Sequence, residues 1–297
     1  MIVTDKLIFL QLQKTACTHI ARLLLEDFAG QELFGKHRSL PRRFDPGGRL
    51  LVGSVRNPWD WYVSLWAFGC RRRGGPYLRS TGRRSIWKAL RDPRARRFVG
   101  WQPSITDRIR IARREWDRPV ESWRRLHSDQ TNPELFRGWL KLVLDSDRRY
   151  DLFRDYGHSP INSFAGLLTY LYELLYLRDN SILYRRHYLN DLQALMQHDL
   201  EKNILDATIR TEELEKGLVE SLGRAGYELT AQQMESIENA ERTNSSGRRR
   251  RLEDYYDTET VELVARMEKF IIKKYGYRSP LAPAVRAPSR VDAIRNL

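Results

Sequence analysis

The chain opens with a near-continuous apolar run. Lys6 to Gln13 reads KLIFLQLQ and stops at Gln13-Lys14-Thr15. Apolar residues at successive rather than alternate positions predict a strand buried on both faces, as inside a parallel sheet. From Thr18 to Phe28 the apolar positions change to Ile20, Leu23, Leu24 and Phe28, the spacing of one helical face. Arg49 to Val55 (RLLVGSV) predicts a second buried strand. A helix follows from Trp59 to Phe68, opened by Pro58, where a missing N–H is harmless.

Further along, Pro133 to Leu144 is amphipathic and Ser163 to Leu177 is apolar enough for a buried helix. Asn203 to Arg210 predicts a strand, and Glu212 to Arg224 and Thr258 to Tyr275 predict helices. Strands alternating with helices imply an α/β fold with a mostly parallel sheet and right-handed crossovers. Ligands in such sheets sit at the carboxyl ends of strands. Lys14 and Arg56 each directly follow a predicted strand. The segment from Arg71 to about Arg125 is basic and broken by glycine and proline. We read the chain as one domain over 1–297. Residues 70–200 would form an insertion or lid and the acceptor-binding region, and 280–297 an irregular tail.

Charge adds a partner class to this picture. The 297 residues carry 52 Lys and Arg against 38 Asp and Glu, a net charge of +14. Such an excess attracts anions: phosphates, sulfates, acidic glycans, nucleic acid or a membrane surface. The two cysteines, Cys17 and Cys70, form no disulfide framework and no zinc pattern. The remaining histidines are scattered without ligand spacing, so no metal is expected. No apolar run approaches the roughly 20 residues that span a bilayer, and the N-terminus lacks a signal-peptide pattern. A soluble, cytoplasmic protein is the expectation.

The chemistry concentrates at the two strand ends. A strand, a tight turn and a helix N-terminus make an anion site, because free N–H groups and the positive helix end face the ligand. The first turn is Gln13-Lys14-Thr15-Ala16-Cys17-Thr18. It lacks the glycines of a nucleotide P-loop, G-x-x-x-x-G-K-[ST], and suits a single terminal phosphate. The second strand end reads SVRNPWDWYVSLW, with Arg56 leaving the strand and Ser64 two turns into the helix. Arginine forks well onto phosphate. Two separate anion sites suit a ligand with phosphates at two ends.

These residues resemble a family. Lys14-Thr15-Ala16-Cys17-Thr18 is similar to the 5′-phosphosulfate loop of PAPS-dependent sulfotransferases. Arg56-Asn57-Pro58 with Ser64 eight residues after the arginine resembles their 3′-phosphate motif. Arg210-Thr211-Glu212-Glu213-Leu214 resembles a strand-to-helix element of the family. Asn244-Ser245-Ser246, Tyr255-Tyr256-Asp257 and Tyr275-Gly276-Tyr277 resemble the C-terminal element of its carbohydrate-type bacterial and Golgi members. The likeness covers roughly 7–68 and 205–277.

The resemblance implies a P-loop-NTPase-like three-layer fold. It also implies PAPS as donor, PAP as product and no metal. By position, Lys14 would steady charge on the leaving phosphate. Thr15, Ala16, Cys17 and Thr18 would supply backbone and hydroxyl donors to the 5′-phosphate. His19 stands where many members stack a tryptophan on adenine. Arg56 and Ser64 would hold the 3′-phosphate, and Asn244, Ser246, Arg248 and Arg249 would close over the cofactor. Members usually carry glycine at the position of Ala16, so a negative φ is expected there. Cys17, beside Lys14 and a helix N-terminus, is expected to have a lowered pKa.

His37, between the two phosphate motifs, is the expected general base. Its unperturbed pKa lies near neutrality, and Lys36 and Arg38 would favour its proton-accepting form. Glu26, Asp60 or a carboxylate of the middle region is the alternative. The acceptor would be a hydroxyl or amine of a carbohydrate or other small metabolite. The basic middle segment suggests an acidic acceptor, whereas its tryptophans, Trp87, Trp101, Trp116 and Trp123, also fit sugar stacking or a lipid-like acceptor. Two other readings stay open: a P-loop-related small-molecule kinase, and an arginine-rich polyanion or nucleic-acid binder.

Overall fold

Five strands form one sheet in the order β3-β1-β2-β4-β5. They are β1 (Ile2–Val3), β2 (Leu7–Phe9), β3 (Gln31–Glu32), β4 (Leu50–Val55) and β5 (Ala207–Arg210). The structure, a computed structural model, describes residues 1–82, 105–185, 187–239 and 250–281. β2, β4 and β5 run parallel, whereas β1 is antiparallel to both β2 and β3. The sheet is therefore mixed rather than mostly parallel. The two strands absent from the sequence reading are two residues each, too short to carry a periodic signal. The outermost, β3, is exposed Gln-Glu, a polar edge that discourages further pairing.

Side-chain alternation along the strands separates two cores. Leu7 and Phe9 of β2 and Val52 of β4 pack with α1 (Cys17–Asp27) and with the helix Leu214–Arg224. Ile8, Leu51 and Val55 face the other way, into a larger core. That core holds α2 (Pro58–Cys70), α3 (Pro133–Leu144) and α4 (Leu167–Tyr176). Helices thus cover both faces of the sheet, which explains the unbroken apolar run in β2. Trp123, Phe136, Trp139, Tyr156 and Tyr170, all from 70–200, are fully buried in the larger core. Trp123 donates from Nε1 to Asp151 at 3.0 Å and presents no face to a sugar. Trp116 is 80% exposed, and Trp87 and Trp101 lie outside the described residues.

The predicted helix Thr258 to Tyr275 is two helices, Thr258–Met267 and Lys269–Tyr275, broken at Glu268. Glu268 is fully buried. Its carboxylate accepts from Leu168 N (3.0 Å), Thr169 N (2.9 Å), Thr169 Oγ1 (2.6 Å) and Tyr62 Oη (2.5 Å). Leu167 N donates to the same Tyr62 hydroxyl at 3.2 Å. The first turn of α4, which has no local side-chain cap, is thereby capped from another part of the chain. Gly166 permits this approach, since a Cβ there would overlap the Glu268 carboxylate. No helix among the described residues is long and apolar enough to cross a membrane.

Candidate functional site

The parallel register aligns the strand ends. Phe9 pairs with Val52, and Leu10 N continues the ladder to Val52 O at 2.8 Å. Carried on three residues, this register sets Leu12 level with Val55 and Gln13 level with Arg56. The contacts agree: Arg56 donates from Nη1 to Lys14 O at 3.2 Å. Trp61 donates from Nε1 to Gln13 O at 2.7 Å, and Lys14 Nζ lies 4.1 Å from the centre of the Phe68 ring. Trp61, Ser64 and Phe68 are three and four residues apart, so they share one face of α2. Ser64 lies on that face and is 4% exposed.

Ala16 adopts φ 57° and ψ 14°, the left-handed region, and Lys14 has φ 63°. The expectation of a negative φ at Ala16 is wrong. The turn is too tight for it, and a Cβ in this conformation costs about 1–2 kcal/mol. Ala16 in the left-handed region followed by helical Cys17 turns successive N–H groups to one side, an anion-binding nest. No side chain caps the N-terminus of α1, so the dipole end is open to a ligand. Burial, reinforced by the Arg56 and Arg71 cations, pulls the Lys14 ammonium down to about 8. Among the described residues no carboxylate pairs with it.

Other expected donors stand differently. Thr15 is fully buried, and its hydroxyl donates to Leu12 O at 2.8 Å or pairs with Ser54 Oγ at 2.7 Å. It ties the loop to β4, which leaves its backbone as the freer contact for a phosphate. Thr18 is exposed at the first turn of α1. His19 is 2% exposed and turns into the protein, away from any stacking position. Cys17 is also corrected: burial pushes its thiol up, outweighing the pull of Lys36 and Lys14. Asn244, Ser246, Arg248 and Arg249 lie outside the described residues.

At the second strand end the guanidinium is already engaged. Arg56 donates from Nε to Asp60 Oδ2 at 2.7 Å, and its Nη2 lies at the same distance. This two-pronged pair leaves part of the guanidinium for a further anion. Asn57 caps α2 by accepting from Trp59 N at 3.0 Å. Glu212 accepts from Asn57 N at 2.6 Å, and Thr211 donates to Val55 O at 2.9 Å. The Arg210–Leu214 stretch thus clamps the turn that carries Arg56.

His37 lies at φ 58° and its Nδ1 is 2.7 Å from Gln11 O. A carbonyl only accepts, so Nδ1 carries the hydrogen and neutral His37 presents an Nε2 lone pair. His37 keeps an exposed surface, but protein packed around its ring partly desolvates it and lowers its pKa; the Gln11 carbonyl opposes this and Lys36 assists it. Strained φ at a polar residue marks a functional position worth testing. His37 lines a cavity of about 680 Å³, together with Gln13 at the end of the β2 segment. Of the alternative bases, Asp60 is held by Arg56 and Glu26 is exposed on α1. Asp155, from the middle region, lines the same cavity as His37.

Two contributors are not singled out by a sequence reading. Arg71 acts on Lys14 from the far end of α2, seven residues beyond Ser64 on the same face; that spacing was the available signal. Asp155 belongs to the middle-region carboxylates expected as alternatives, but only the folded chain singles it out by bringing it to the cavity. Compared with protein families, with curated proteins and with solved structures, the chain matches none.

Proposed function

We propose that the protein is a PAPS-dependent sulfotransferase with a P-loop-like nucleotide site at the ends of β2 and β4. One observation carries this reading: two cation-bearing strand ends lie in direct contact, Arg56 on Lys14 O, beside a cavity lined by His37. The residues fit a ligand with two anionic ends. A nest, a helix N-terminus with no side-chain cap and an ammonium with no carboxylate partner among the described residues gather at one end, and an arginine with Ser64 at the other.

His37 accepts the acceptor hydroxyl's proton at Nε2. Lys14 keeps its proton below about pH 8 and meets negative charge as it builds on the leaving group. Arg56 and Ser64 orient the distal phosphate. PAPS supplies a sulfuryl group on a phosphate leaving group, so the acceptor oxygen gains the bond to sulfur that the phosphate loses.

The test is calorimetric titration with PAP, with ADP and ATP as controls, on the wild type and on Lys14→Ala and Arg56→Ala. Micromolar PAP binding without Mg²⁺, lost in Lys14→Ala and much weaker for ATP, is the expected result. Mg²⁺-dependent ATP binding without PAP binding would replace this reading with a kinase. Salt-sensitive DNA binding without PAP binding would replace it with a polyanion binder.

A further inference from the structure

The cavity beside His37 has a two-sided chemistry. Its floor is aliphatic: Leu171, Leu174 and Leu175 of α4. Its mouth is cationic, with exposed Lys36 and Arg38 on either side of His37. At about 680 Å³ it falls within the usual range of small-ligand sites, ~300–1,000 Å³. No tryptophan lines it. Trp61, Trp66, Trp123 and Trp139 are all at or below 1% exposure elsewhere. Phe34 and Tyr184 supply the cavity's aromatic faces, and Asn180, Ser181, Arg79 and Asp155 add polar groups to its wall, so a sugar finds hydrogen-bond partners there but leaves the three leucines without apolar cover.

Resting on the sulfotransferase reading, we infer that this cavity is the acceptor site and takes an amphipathic hydroxy acid. Such a ligand is an alcohol or phenol with an apolar body and one acidic group. The body lies on the leucines of α4, the hydroxyl meets His37 and the acid meets Lys36 and Arg38. Asp155, on the same lining, opposes the acid, which therefore sits on the Lys36 and Arg38 side. Dropping the acid loses the mouth, and replacing the body by a polyol loses the floor.

Three probes separate these terms by calorimetry, without PAPS and without turnover: 6-hydroxy-2-naphthoate, 2-naphthol and glucuronate. The naphthoate should bind at least about tenfold more tightly than either of the others, about 1.4 kcal/mol. The double variant Lys36→Glu/Arg38→Glu changes exposed side chains only. It should weaken the naphthoate about tenfold and leave 2-naphthol unchanged, with the difference shrinking in high salt. Leu174→Asp, at a partly buried floor position, should weaken both aromatic probes. Tighter binding of glucuronate than of the naphthoate, or an unchanged naphthoate affinity in the double variant, would overturn the inference. A parallel PAP titration keeps the two readings apart. PAP binding with no naphthoate binding removes this acceptor class and leaves sulfuryl transfer standing. Naphthoate binding with no PAP binding upholds the pocket and removes the donor.

Discussion

The two strand ends carry the same kind of cation in opposite states. After β2, the chain bends through two left-handed residues, Lys14 and Ala16, into a helix with no side-chain cap. Its ammonium is partly buried against Phe68 and beside two other cations. After β4, the turn is capped by Asn57, clamped by Glu212 and neutralised by Asp60. The first end stores unfavourable electrostatics that an anion relieves. The second is satisfied before any ligand arrives. A positive side chain at a strand end is therefore not evidence of equal appetite for phosphate; its neighbours set that.

Replacing each cation by alanine should separate the two states most sharply. Lys14→Ala is expected to lower turnover by a hundredfold or more, roughly the effect of removing one preorganised charge from a developing anion. Thermal unfolding of the same variant should show no loss of stability, because the ammonium removed is partly buried and has no carboxylate partner among the described residues. Arg56→Ala should instead destabilise the fold by about 2 kcal/mol, since the charged hydrogen bonds to Asp60 and the bond to Lys14 O are lost together. A denaturant titration of both variants checks the contrast. Equal destabilisation would mean that the first end is as well satisfied as the second.

The remaining tests refine the comparison. Asp60→Asn frees the Arg56 fork, and PAP affinity should rise about threefold to tenfold; titration at fixed ionic strength measures it. The pH profile of kcat/KM should be a bell. On the acid side His37 gains a proton and stops accepting one, at a pH lowered from the ordinary histidine value by partial desolvation of its ring. On the alkaline side Lys14 loses its charge near pH 8 and anion binding weakens. Lys14→Ala should abolish the alkaline limb alone. The smallest effect is expected from Ala16→Gly, which relieves the left-handed alanine and should stabilise the fold by about 1 kcal/mol. A lower melting temperature for that variant would show that the alanine methyl does more than strain the turn.

Much of this frame was legible in the sequence where periodicity is strong. Pro133–Leu144 has the bounds that its pattern indicates, and β4 loses only Arg49 from the predicted run. Lys14 and Arg56 were placed at adjoining strand ends because each follows an apolar run, and they touch. Ala16 and Thr15 were misjudged because residue type does not report backbone angle or which side of a turn a hydroxyl takes. The Cys17 shift was misjudged because burial outweighs a nearby charge, and burial depends on the finished core. Asp155 could not be singled out for the same reason. The break at Glu268 was hidden in an amphipathic pattern, because an acid at a helix surface and an acid at a buried cap read alike.

Glu268 also has a consequence for the order in which the molecule is made. The floor of the cavity is α4, and the group that caps its first turn is placed about a hundred residues later. While the ribosome has yet to deliver Glu268, the N–H groups of Leu168 and Thr169 lack their partner and that helix has no fixed beginning. The β2 and β4 strand ends are synthesised well before Glu268, and the chamber beside them takes shape only after it has emerged. An unfinished chain would hold its cations without a formed place for an acceptor. Maturation of this cavity thereby waits on a single carboxylate about a hundred residues downstream of its floor.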